Sequence, residues 1–408
     1  MPEPHEPGTP AVGRPGFCHR DAVLAGRDRL FDIFQLPDPI IRRSLFASLL
    51  VENGIVLLTG TYGTGKTQLV HLVRKLFFSD GNGGYEYDYE TCHQELTAFD
   101  VLYHLDLAEL QRGREVVHPK RMLSARLKFL NEIQRANASF FNSLLPLLSE
   151  RRVTYRDVEW AVPDFLCVMD RNPLDSGSSE VPEAFLDRVD FSFEIPAIHL
   201  EEHVRLQELR RRPNGFHWGG LDELTEGATE FGQLLEIWED VKRVDIPARA
   251  THLSGMLVDA FRLCIVTERS NARPDFDLNC ADCQFKGEIC SHLSRVPGQR
   301  VTNSLLRLAQ ALAWLDGAAE VADEQLFAAA PWSLAHRVAL RPEELRKQPS
   351  ELAWLQEVAI RQVLTPRRTY WDRALQAYET SDLSQLELLG ANDLVVRELM
   401  LLRQEARP

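Results

Sequence analysis

The eight residues Gly60-Thr61-Tyr62-Gly63-Thr64-Gly65-Lys66-Thr67 have the composition and spacing of a phosphate cradle. Glycines let consecutive backbone N–H groups turn toward phosphate oxygens, and a helix starting directly after them adds its own unpaired donors and positive dipole end. In this pattern Lys66 reaches the β- and γ-phosphates, Thr67 places its hydroxyl on Mg²⁺, and Gln68 joins them in the first turn of the helix. The loop follows the apolar run Ile55-Val56-Leu57-Leu58, which reads as a buried strand, and precedes a helix-like stretch to about Phe78. That context separates it from an incidental glycine-rich turn, and the ligand that fits is a nucleoside triphosphate with magnesium.

A second constellation lies downstream. The apolar segment Leu127-Lys-Phe-Leu130 ends in Asn131-Glu132. Where a phosphate-binding loop serves hydrolysis, a neighbouring strand usually ends in two acids, the first supporting Mg²⁺ and the second polarising the attacking water. Glu132 keeps the second role. Asn131 is neutral and offers only its amide oxygen to the Mg²⁺ water shell, which predicts slow hydrolysis. An Asn-Glu pair also suits a helix N-cap with an acid in the first turn.

These residues need a framework, and 408 residues with 44% hydrophobic content suffice for two or three compact domains. The formal net charge of -14 argues against general affinity for a nucleic-acid backbone, so a DNA-dependent motor is a minor expectation. No apolar stretch approaches the roughly 18 residues needed to cross a bilayer, and the Pro-rich start has no hydrophobic signal core. The expected compartment is cytoplasmic.

Residues 1–20 read as a flexible tail rich in proline and glycine. Residues 21–200 carry helical patterns and strand-like runs, including Tyr85 to Cys92, and read as an α/β nucleotide-binding core with a parallel sheet between helices. A helix is expected from Leu96 to Leu110. Residues 201–340 show long helical patterns, such as Ala248 to Thr267 and Val301 to Leu315, with no further strand pair expected. Residues 341–408 read as a helical extension, either solvated or, given Trp354, Tyr370 and Trp371, packed or partner-docking.

The order of segments is specific. Asn131-Glu132-Ile-Gln-Arg-Ala-Asn is followed by a helix-like stretch, by Glu150-Arg-Arg-Val-Thr-Tyr, and by Phe165-Leu-Cys-Val-Met169 running into Asp170-Arg-Asn172-Pro173. This succession resembles the MoxR family of AAA+ ATPases. The resemblance implies that Asn172 is the polar sensor of the γ-phosphate and attacking water, although a pre-proline turn residue would read the same. Pro182 to Val189 resembles the segment that projects an arginine into the neighbouring subunit's nucleotide. Arg188 is thus implied as an arginine finger, with a surface salt bridge to Asp187 or Asp190 as the plainer reading. Arg300, opening Arg300-Val-Thr-Asn-Ser, matches the second sensor arginine, which touches nucleotide from a helical lid; alternatively it lies on a solvated helix face. The family likeness further implies a homo-oligomeric ring, a hexamer by expectation, and a chaperone-like role with a separate partner protein, often one with a von Willebrand factor A domain.

Three of the seven cysteines lie between Cys280 and Cys290. Cys280, Cys283, Cys290 and His292 make the three-thiolate, one-imidazole set that suits structural zinc. Cys264 could replace His292 as fourth ligand, and four thiolates could hold an iron–sulfur cluster. Reduced, partly buried thiols without metal are the third option. The sequence therefore leads to an ATPase that remodels a partner, or to an ATP-bound ring scaffold in which Asn131 has disabled hydrolysis.

Overall fold

Two near-continuous apolar runs, Ile55–Leu58 and Leu166–Met169, fix the centre of the fold, since only strands covered on both faces tolerate such composition. The computed structural model describes residues 19–82, 84–173, 179–197, 200–211, 231–262, 288–391 and 393–405. Helices α1 (Arg20–Ile33) and α2 (Pro39–Leu49) lead into β1 (Ile55–Thr59) and α3 (Lys66–Phe77). Then come β2 (Tyr87–Thr91), α4 (Ala98–Val101), β3 (Tyr103–Leu105), α5 (Leu107–Gln111), β4 (Val117–Pro119), α6 (Arg121–Ser124) and β5 (Leu127–Asn131). Helix α7 (Ala138–Glu150), the hairpin β6 (Arg152–Tyr155) and β7 (Val158–Ala161), β8 (Leu166–Arg171), α8 (Glu183–Leu186) and β9 (Phe191–Glu194) follow.

β1, β2, β5, β8 and β9 form one parallel sheet in the order β2-β5-β8-β1-β9. Side chains alternate across it, as strand geometry requires. Val56, Leu58, Phe129 and Val168 face a layer that includes Leu69, Leu72 and Val73 of α3. Ile55, Leu57, Leu130 and Met169 face the opposite layer, with Phe140, Phe141 and Leu144 of α7. The C-terminal ends of β1, β5 and β8 are thereby held side by side.

The remaining chain is mostly helical: α9 (Leu200–Arg211), α10 (Phe231–Lys242), α11 (Ala248–Arg262), β10 (Leu293–Arg295), α12 (Val301–Asp316), α13 (Asp323–Leu334), β11 (Ala339–Leu340), α14 (Pro342–Leu345) and α15 (Glu351–Trp354). A π-helical stretch, Leu355–Leu364, then leads to α16 (Thr365–Glu379), α17 (Leu383–Gly390) and α18 (Leu394–Glu405). Helix α13 covers the edge strand β9, where Trp332 stacks on Phe193 with ring centroids 4.9 Å apart. Among the described residues no helix is long and apolar enough to cross a membrane.

Two local expectations change, and one open alternative is resolved. The single helix expected over Leu96–Leu110 is α4, β3 and α5, with β3 paired antiparallel to β4. Thr97 and Asp100 start the first turn as a capping box, but Asp106 caps a new helix by accepting the N–H groups of Ala108 and Glu109 at 2.9 and 3.1 Å, which splits the run. The helical region also contains an antiparallel strand pair, β10 with β11. Finally, the C-terminal helices are packed rather than solvated: Trp354 and Trp371 are buried, and the Trp371 indole N–H donates to Asp393 Oδ2 at 3.2 Å. Asp393 in turn accepts the N–H groups of Val395 and Val396 at the start of α18. We expect Trp371→Ala to lower unfolding stability by about 3–5 kcal/mol in urea denaturation. A change near zero would mean that α16–α18 contribute nothing to the common core.

Candidate nucleotide site

The phosphate cradle grows out of β1. Gly60 has φ +152°, and a Cβ there would lie 2.5 Å from the Ile195 carbonyl oxygen, so only glycine fits where the chain leaves β1 beside β9. Gly65, at φ +87°, is the N-cap of α3, with the Phe34 ring against it. Thr61, Tyr62 and Gly63 form the outer crown of the loop, while Thr64 is buried. Gln68 lies in the first turn of α3, its side-chain oxygen next to Gly65.

Lys66 is 5% exposed. Its ammonium donates to Gly60 O at 2.9 Å, Thr61 O at 3.0 Å and Asn172 Oδ1 at 2.8 Å. Burial lowers its pKa, and the carboxylates of Asp170 and Glu132 oppose that shift. A phosphate entering the cradle would compete for the same protons.

Asn172 ties the neighbouring strand ends together. Besides accepting from Lys66, it donates through Nδ2 to Glu132 Oε1 at 3.0 Å, and its backbone N–H donates to Gln134 Oε1 at 3.3 Å. Glu132 has left-handed backbone geometry, φ +56°, and pairs with Arg135 at 2.8 Å. Strain of this kind is retained where the surroundings hold a side chain in place. Asn131, at the end of β5, accepts from the Thr67 hydroxyl at 3.4 Å. Thr67, Asn131, Glu132 and Asp170 each carry a side-chain oxygen, a donor type that fits a hard cation such as Mg²⁺, with the Asn131 amide nitrogen turned to Thr91 Oγ1 at 3.4 Å.

Asp170 was given no role by sequence reasoning, although an acid closing an apolar strand two residues before Asn172 was visible. It sits on β8 beside the site, 2% exposed, and accepts the Glu132 backbone N–H. Burial pushes its carboxyl up to about 6, against the pull of that N–H and of the Lys66 ammonium.

The arginines lie elsewhere. Arg188 and Arg300 line one cavity of about 450 Å³ together with Glu52, Asn53 and Ile55. This is the N-terminal end of β1, whereas Lys66 follows its C-terminal end, about 13 Å away along the strand at ~3.3 Å per residue. Arg188 donates to Ser149 Oγ at 2.7 Å and Ala184 O at 2.6 Å rather than to Asp190. Arg300 lies 3.7 Å from Asp187. The structure therefore does not bring Arg300 to Lys66 of the same chain. The cause is the anchorage of α12: Ser304 donates to Asp190 at 2.7 Å, Arg307 pairs with Asp190 at 3.3 Å, and the buried Arg337 donates to Ser304 Oγ and Asp187 O at 3.1 Å. Burial pulls Arg337 down to about 10.

Of the cysteine cluster, Cys264, Cys280 and Cys283 lie outside the described residues, as does the Cys290 side chain. His292 Nδ1 lies 3.1 Å from Glu344 Oε2. Among the described residues no group of three or more His, Cys, Asp or Glu side chains could hold a metal ion.

A parallel sheet of this order, a glycine loop between β1 and α3, Asn-Glu closing the adjacent strand, and a following helical unit define a P-loop protein of the AAA+ class. Comparison with known proteins agrees. Residues 55–189 match the AAA domain of the dynein-related subfamily, and residues 294–353 match an AAA lid domain. Protein MoxR of Methylorubrum extorquens is 29% identical over 303 residues, 73% of this chain and 82% of that protein. Protein MoxR of Paracoccus denitrificans is 28% identical over 301 residues, 71% of this chain and 81% of that one. A crystal structure from Cytophaga hutchinsonii, of a protein assigned as an ATPase, shares the fold with a TM-score of 0.64 at 18% identity, covering 84% of this chain and 94% of its own. Together these matches support a MoxR-like AAA+ ATPase.

Asp170 makes stability depend on pH. Its carboxyl binds a proton more tightly in the folded chain than in the unfolded one, so its contribution is present below pH ~4 and is lost as pH rises through about 6. Asp170→Asn, which cannot ionise, should be more stable than wild type at pH 8 by up to about 2–3 kcal/mol, with the gap closing toward pH 5. Urea unfolding at both pH values, without nucleotide or magnesium, checks this; a gap that widens toward pH 5 contradicts it.

Proposed function

We propose that the chain binds ATP with Mg²⁺ at the subunit boundaries of a ring, hexameric by family likeness, and that hydrolysis moves the lid against the core to remodel a separate partner protein. The observation that carries this reading is the placement of Lys66 and of the Arg188–Arg300 pair at opposite ends of β1. Two guanidiniums that cannot reach their own cradle can serve a neighbour's if subunits join head to tail, an arrangement that closes into a ring.

In this reading the loop amides, Lys66 and Gln68 hold the triphosphate, and Thr67 and Asn131 face its magnesium. Magnesium, when bound, offsets charge on the β- and γ-phosphates. Glu132 orients and deprotonates the attacking water, Asn172 reports the γ-phosphate to Lys66 and Glu132, and Arg188 and Arg300 stabilise charge developing on the neighbouring subunit's transferring phosphoryl group. The scaffold alternative draws on the neutral Asn131. A von Willebrand factor A protein is the partner type that family likeness suggests, and nucleic acid is disfavoured by the net charge of -14.

Complementation tests the composite site. Lys66→Ala and Arg188→Ala should each lower ATP turnover by about 10³-fold or more. Mixed in equal amounts, the two should regain about a quarter of wild-type turnover, because random rings juxtapose intact cradles with intact arginines. A mixture no more active than its parts contradicts action in trans. A wild type that binds ATP but never turns it over, even with a partner, favours the scaffold.

Zinc at Cys280, Cys283, Cys290 and His292, with Cys264 as the alternative ligand, rests on ligand spacing. It is supported by the carboxylate on His292 Nδ1, an arrangement that orients ligating imidazoles. Elemental analysis of purified protein should give near-stoichiometric zinc; stoichiometric iron would favour a cluster, and neither metal would remove the idea.

A further inference from the structure

We infer that Asp170 supplies, from β8, the carboxylate charge toward magnesium that Asn131 lacks on β5. The inference rests on the nucleotide reading above and assigns a positioning residue within that site.

Three placements lead to it. Leu127 and Phe129 of β5 and Leu166 and Val168 of β8 all belong to the sheet face covered by α3. Strand alternation puts Asn131 and Asp170 on the same face. The β5–β8 register runs from Leu127 opposite Leu166 to Leu130 opposite Met169, so its next step sets Asn131 beside Asp170, about 4.8 Å apart. That face is also where α3 begins with Lys66 and Thr67, and Thr67 already contacts Asn131.

Burial supplies the second argument. A carboxylate 2% exposed at the end of an apolar strand is costly to keep unless opposite charge faces it. One such charge is Lys66, whose ammonium donates to Gly60, Thr61 and Asn172. A divalent cation between Thr67 and Asn131 would be another. Asn131 and Asp170 together hold one carboxylate, the same charge as an acid at 131 beside a neutral residue at 170. The charge is kept and displaced by one strand spacing, and Asp170 also fixes Glu132 by accepting its backbone N–H.

The test measures binding of a fluorescent ATP analogue while Mg²⁺ is titrated. In Asp170→Asn, Mg²⁺ affinity in the nucleotide complex should fall by about 10- to 100-fold, the usual effect of losing an outer-sphere partner. Affinity for the magnesium-free nucleotide should be unchanged or tighter, since a negative charge facing the phosphates has been removed. The double variant Asn131→Asp/Asp170→Asn should regain the lost Mg²⁺ affinity, which also separates a local charge effect from misfolding. Unaltered Mg²⁺ affinity in Asp170→Asn, or equal weakening with and without Mg²⁺, overturns the inference while leaving nucleotide binding intact. A wild type that binds no nucleotide, with Lys66→Ala indistinguishable from it, overturns the parent reading as well.

Discussion

The site depends on one buried ammonium. Lys66 can be kept charged below the surface only because oxygens from the loop and from the end of β8 surround it. Asn172, one of those partners, also holds Glu132 and Gln134. The loop, Glu132 and Asn172 are therefore not three independent features. A phosphate that takes the place of the oxygens around Lys66 must disturb the bonds that fix Glu132.

The second constraint is the length of β1. Its C-terminal end delivers the cradle, while its N-terminal end borders the cavity of Arg188 and Arg300. Asp190 holds this arrangement by accepting from Ile55 N–H, Ser304 and Arg307, so core and lid are joined on the arginine side of the sheet. Trp332 stacked on Phe193 adds an apolar contact between the same two units. A chain built this way presents a nucleotide cradle at one end of β1 and cationic groups at the other, which is a heterologous rather than a self-complementary pattern.

Much of this was legible in the sequence, for identifiable reasons. The cradle, β1 and the Asn131-Glu132 end depend on local residue types and short spacing, and they appear where the pattern put them. The split of the expected Leu96–Leu110 helix turned on Asp106 choosing to cap a new helix, a competition that apolar periodicity does not register. The position of Arg300 was not legible, because a helix-start motif does not say against which end of the sheet the helix packs. Asp170 was missed because its meaning depends on its neighbour across the β5–β8 register, and register between strands nearly forty residues apart is a property of the folded sheet. The burial of Trp371 was open in sequence because it depends on how the C-terminal helices pack around the indole, whose N–H then meets Asp393.

Whether subunits share the proposed catalytic site can be seen in a cryo-electron microscopy reconstruction of the Glu132→Gln variant with ATP and Mg²⁺. The expected result is a closed ring in which each nucleotide lies against Lys66 of one subunit and within hydrogen-bonding reach of Arg188 and Arg300 of the next. A nucleotide contacted by Arg300 of its own chain, or an ATP-bound monomer with both arginines facing solvent, would contradict it.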